Sequence, residues 1–110
     1  MTIADRLEQL QAMLLDEPQD RFLRYAIALE HKRKGDMGAA VQLLEQLLTE
    51  DATYIACYYQ LALIQAEMGH GDEAVKVCTA GALQCLVAGD MKTRAELLSL
   101  KAAVEEELGE

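Results

Sequence analysis

The chain has 110 residues, enough for one domain of ordinary size and too few for two. Apolar residues make up 52% of it and aromatics only 5%, with no Trp, one Phe and one Pro, which excludes collagen-like, disordered and disulfide-scaffold classes and points to an all-α globular domain. Ten Lys and Arg against nineteen Asp and Glu leave a net charge of -9, so phosphate backbones and anionic lipid repel it, making nucleic acid and membrane surfaces poor partners.

Helical periodicity runs nearly end to end and strand alternation is missing. A first helix is expected over about 3–15, opened by Thr2 and Asp5 as a variant capping box, with Leu7, Leu10, Met13 and Leu14 on one apolar face before Pro18. A second is expected from Gln19 to Lys34, with Asp20 in its first turn and Lys32, Arg33 and Lys34 in its last, stopped by Gly35. The third spans Met37–Thr49, the fourth Thr53–Met68 with Gly69 after it, the fifth Gly71–Val87, and the sixth, after Gly89 and Asp90, Met91–Leu108. The N-terminus lacks a basic region followed by an apolar core, and there is no 18-residue apolar run, so neither a signal peptide nor a membrane span is expected. The expected location is the cytoplasm. Cys57, Cys78 and Cys85 form no C-x-x-C pair, and His70 has no second histidine beside it. Small buried hydrophobes, rather than disulfides or a metal site, are the expected role of these cysteines.

A shift of 34 residues superimposes the chain on itself. Tyr25 meets Tyr59, Ala28 meets Ala62, Leu29 meets Leu63, Gly35 meets Gly69, Ala40 meets Ala74 and Val41 meets Val75, while Ile27 and Leu43 meet Leu61 and Val77 conservatively. The identities favour small residues, as close helix pairs require: Ala where backbones approach and Gly where the first helix turns back.

On these residues the chain resembles the tetratricopeptide repeat family, whose unit is a 34-residue antiparallel helix pair. The resembling segments run from Leu23 through Gly35 to Ala40 and from Tyr58 through Gly69 to Ala74. The first helix fits as the second half of a preceding repeat, with Leu10 and Met13 in the places of Leu44 and Leu47. The last fits as the first half of a following one, with Ala102 and Gly109 in the places of Ala62 and Gly69 after six inserted residues. The resemblance implies an all-α, α-α superhelix of six antiparallel helices in one domain, divided as 1–20, 21–54, 55–88 and a capping helix over 89–110. The chain departs from the family at Arg24, where a large aromatic is preferred, and at Ala52 and Leu86, where a closing proline is preferred. Gly81 replaces a small packing residue in mid-helix, a loss of about 0.5–1 kcal/mol against Ala.

No catalytic motif is present: there is no nucleophile elbow, zinc-protease signature, P-loop or dinucleotide fingerprint, and His31 and His70 stand apart. An enzyme is not expected, and no cofactor is implied. The resemblance implies instead a concave groove lined by the second, fourth and sixth helices that receives a peptide or helix of a protein partner. Helical spacing sets Phe22, Tyr25, Leu29, Lys32 and Arg33 beside the packing face of the second helix, and Ala56, Tyr59, Leu63, Ala66 and Glu67 on the equivalent face of the fourth. Packing on neighbouring helices is the competing role for the two tyrosines. Half of the basic residues lie in the second helix, so a partner with apolar side chains and a carboxylate is favoured, although the same cations also suit a helix end. The family's chaperone-tail clamp is not expected, because Tyr25, Leu29, Gln60, Glu96 and Leu100 occupy its places without supplying its charge. The alternative is self-association through the apolar strip or a stack end; polar residues on the first and last helices favour a monomer over that homodimer.

Overall fold

The computed structural model describes residues 3–109. Six helices follow one another, with no strand among the described residues: α1 Ile3–Asp16, α2 Arg21–Arg33, α3 Met37–Glu50, α4 Ala56–Glu67, α5 Gly71–Ala88 and α6 Met91–Leu108. They form two compact units, the first ending at Glu50 and the second beginning at Asp51. The sequence-expected opening of α1 by Thr2 and the Asp5 side chain lies outside what the structure describes.

Three helix ends close on glycine in the left-handed region, where a Cβ is strained: Gly35 at φ 86°, Gly69 at 83° and Gly89 at 78°. Each is followed by an amide that reaches five residues back, as Asp36 N does to the His31 carbonyl at 2.9 Å, His70 N to Gln65 at 2.8 Å and Asp90 N to Cys85 at 2.9 Å. These bonds satisfy carbonyls that the helix itself leaves open.

Two starts differ from the sequence expectation. Asp20 lies outside α2 as its N-cap, where its Oδ1 accepts the Leu23 amide at 2.9 Å, so the helix begins at Arg21 rather than Gln19. At α4 the difference is larger, Ala56 in place of Thr53. The Asp51 carboxylate accepts both the Thr53 amide at 3.0 Å and the Thr53 hydroxyl, which commits 51–53 to a turn before helical bonds can form.

In the first unit α2 packs against α1 on one side and α3 on the other. Its core holds Leu7, Leu23, Ile27, Ala28, Ala40, Leu44 and Leu47. In the second unit α5 packs against α4 and α6, which also touch each other, around Cys57, Tyr58, Leu61, Ala62, Ile64, Ala74, Cys78, Ala82, Cys85, Leu97 and Val104. The alanines that repeat at the 34-residue shift, Ala28 with Ala62 and Ala40 with Ala74, are all fully buried. Their small size is therefore a packing requirement in both units.

Gly81 reverses an expectation. Sequence alone makes it a loss against Ala, but a Cβ there would lie 2.6 Å from the Tyr58 Cβ and 2.9 Å from Leu97 Cδ1. Here glycine is what lets α5 approach α4 at the level of a tyrosine. One repeat earlier the pattern is exchanged: Arg24 stands in the place of Tyr58, and Leu47 in the place of Gly81.

The expected polarity of the end helices is incomplete. Leu15 is 84% and Met13 53% exposed on α1, and Leu108 is half exposed on α6. Met13 belongs to the helical face that sequence spacing assigns to packing, yet it is more than half exposed, beside Phe22 and Leu23 at the start of α2.

Candidate partner-binding site

The α2 face is unevenly exposed. Phe22, the one phenylalanine, is 66% exposed; Tyr25, Leu29 and Lys32 are half-buried, and Arg33 is exposed. In the second unit Ala56 is exposed, while Tyr59, Leu63 and Ala66 are half-buried. None of the nine is a core residue. The neighbouring aromatic on α4 has the opposite fate: Tyr58 is buried, its hydroxyl donates to the Ala52 carbonyl at 2.6 Å, and burial raises its pKa. One step around the helix separates a structural tyrosine from a half-exposed one.

The basic end of α2 is partly occupied from within. Glu30 is buried at 3% exposure, and its Oε1 accepts from Arg6 Nε of α1 at 2.8 Å while Arg33 Nη1 stands at 3.8 Å. Glu30 Oε2 is buried without a hydrogen-bond partner. Periodicity gave no sign of this pair, because a charged residue amid Lys and Arg reads as surface; its position on the α1 side of α2 decides otherwise. At the other end of the helix Arg24 donates from Nη1 and Nη2 to the two carboxylate oxygens of Glu50, both at 2.8 Å. That fork holds the Glu50 carboxyl below the usual carboxylate range. Arg24 thus replaces the preferred aromatic with a tie between α2 and the end of α3.

Sequence reading missed an open cleft at the start of α2. It has a volume of about 400 Å³ and is lined by Met13, Asp16, Glu17, Asp20, Phe22 and Leu23. The available signal was the set of three acidic residues around Pro18, bracketed by Met13 and Phe22. It also missed a run of exposed apolar residues in the second unit: Leu83, Leu86 and Val87 on α5, and Met91 on α6.

Chemistry beyond contact is sparse. Cys57, Cys78 and Cys85 are fully buried thiols outside any disulfide, and burial pushes the Cys78 and Cys85 pKa values up, away from the reactive thiolate. Among the described residues, no group of three or more His, Cys, Asp or Glu could hold a metal, and no helix is long and apolar enough to cross a membrane.

A family model described as tetratricopeptide repeat matches residues 33–104. The chain belongs to the tetratricopeptide repeat family. The solution structure of a tetratricopeptide repeat domain protein from Salinibacter ruber is similar at a TM-score of 0.78 and 30% identity, covering 81% of this chain and 90% of that one. A Bordetella parapertussis protein shares the fold at a TM-score of 0.81 and 23% identity, over 92% of this chain and 88% of that one. The crystal structure of MamA shares it at 0.65 and 17%, over 96% and 65%. No curated protein sequence matches the chain. Tetratricopeptide repeats are generally protein-interaction modules and are typically non-catalytic.

Proposed function

We propose that this tetratricopeptide repeat chain is a non-catalytic adaptor or assembly module that binds a peptide or helix of a partner protein. The contacts come from Phe22, Tyr25 and Leu29 on α2 and from Ala56, Tyr59, Leu63 and Ala66 on α4, with Lys32 and Arg33 attracting a carboxylate of the partner. The observation that carries the reading is that Phe22, an aromatic in a chain with few, stays 66% exposed on the same helix face as a half-buried tyrosine and leucine. Aromatic area kept in water at regular helical spacing suits an interface. The buried, unbridged thiols fit a reducing cytoplasm.

The test is affinity capture with the wild-type chain beside a Tyr25→Ala/Tyr59→Ala double variant of unchanged helicity. Partners lost with the double variant support the reading. A partner that survives both this variant and charge reversal at Lys32 and Arg33 refutes it. Self-association is a second reading, favoured by the exposed Leu83, Leu86 and Val87 on α5. Sedimentation velocity separates the two, because a chain that stays monomeric across concentration removes the dimer.

A further inference from the structure

We propose that the cleft between α1 and α2 is a second docking site, taking from a partner protein one apolar side chain flanked by Lys or Arg. It goes beyond the face described above, with which it shares only Phe22.

The cleft combines an apolar lining with an acidic one. Its apolar lining comes from Met13 on α1 and from Phe22 and Leu23 on α2; Leu23 is buried as a floor, while Met13 and Phe22 stand 53% and 66% exposed as walls. At about 400 Å³ it has room for a leucine- or phenylalanine-sized side chain. Its remaining lining is Asp16, Glu17 and Asp20, and no cation contributes.

The backbone that carries the acidic rim is fixed before any partner arrives. Glu17 N donates to the Met13 carbonyl at 3.2 Å and Asp20 N to the Glu17 carbonyl at 3.0 Å, across a turn that contains Pro18. One oxygen of Asp20 is spent on the Leu23 amide, and the side chains of Asp16 and Glu17 are exposed. An apolar floor ringed by three carboxylates selects against an apolar segment with acidic flanks, which meets like charge, and against a small cation, which leaves the apolar walls wet. A side chain such as Leu or Phe beside Lys or Arg satisfies both parts.

The experiment maps amide NMR shifts in the full chain on adding the blocked peptide Gly-Lys-Leu-Phe-Arg-Gly, or its counterpart with Glu for Lys and Arg. The expected result is shifts concentrated over residues 13–23 with the basic peptide and binding about tenfold weaker or more with the acidic one. Met13→Gln should weaken the basic peptide about tenfold. The Asp16→Asn/Glu17→Gln pair should weaken it several-fold and flatten its salt dependence. Removing three charges on α6, by Glu105→Gln/Glu106→Gln/Glu107→Gln, should change nothing. All these positions are exposed, so the fold persists. Equal binding of the two peptides, or shifts spread along the acidic α6, overturns the proposal. So does a loss on Tyr25→Ala with none on Met13→Gln, which leaves the α2 face standing without the cleft. Concentration-dependent sedimentation abolished by Met13→Gln also overturns it, by giving the cleft to a second copy.

Discussion

Replacing Gly81 by alanine sets two effects against each other, and the structure decides which wins. A glycine in mid-helix forgoes about 0.5–1 kcal/mol relative to alanine, so on an open helix face the substitution stabilises. At Gly81 the new methyl would stand 2.6 Å from the Tyr58 Cβ and 2.8 Å from its Cγ, more than 0.5 Å inside the roughly 3.5–4.0 Å at which carbon pairs attract. Leu97 Cδ1, at 2.9 Å, can swing away, but the Tyr58 Cβ is one bond from the backbone and yields only if α4 moves from α5. Overpacking of that kind costs about 1–3 kcal/mol, and a backbone-borne contact belongs at the upper end. The net expectation for Gly81→Ala is a loss of about 2 kcal/mol, or about 10 °C in Tm for a domain of this size, read by far-UV circular dichroism and urea unfolding. Gly38, on α3 with nothing within 4 Å of its would-be Cβ, supplies the control, and Gly38→Ala should leave stability unchanged or raise it by up to about 1 kcal/mol. Adding Leu97→Val to Gly81→Ala should recover little. A Gly81→Ala chain as stable as wild type would refute the close approach, and full recovery with Leu97→Val would move the clash from Tyr58 to Leu97.

Arg6→Ala leaves the buried Glu30 carboxylate without its 2.8 Å partner and should cost about 1–3 kcal/mol in urea unfolding. Glu30→Ile in the Arg6→Ala background should return most of it, since Ile64 fills the place one repeat later and is fully buried. Hydrogen bonds from Thr93 lower the Asp90 carboxyl and those from Arg24 lower that of Glu50. Their contributions are complete above the unfolded carboxylate range and drain as pH falls through the lower folded values, so Asp90→Asn and Glu50→Gln should each flatten the acid limb of the stability profile and leave its alkaline limb unchanged. Cys57, Cys78 and Cys85 should resist a thiol reagent in the native state and all react in denaturant, with a native rate that follows global opening.

Much of the fold was legible because its determinants are local and repeated. Two of the 34-residue identities are alanine pairs buried in both units, and the glycines after α2 and α4 take the left-handed conformation that ends a helix. Spacing also separated Phe22, Tyr25 and Leu29 from the buried Ile27 and Ala28, because a period of 3.6 is written in the chain itself. The helix starts were less legible where a carboxylate had two possible uses: Asp20 caps α2, and Asp51 holds a turn that delays α4.

What the sequence by itself determined was an all-helical repeat chain with a distinguishable outer face on α2 and α4. Tertiary structure alone decided the sign of Gly81, the burial of Glu30 against Arg6, and the exposure of Met13 beside Phe22 over an acidic rim. The physical reason is range. Periodicity and capping act between residues a few positions apart, whereas a clash, a buried ion pair or a cleft depends on which side chain a second helix brings within a few ångströms.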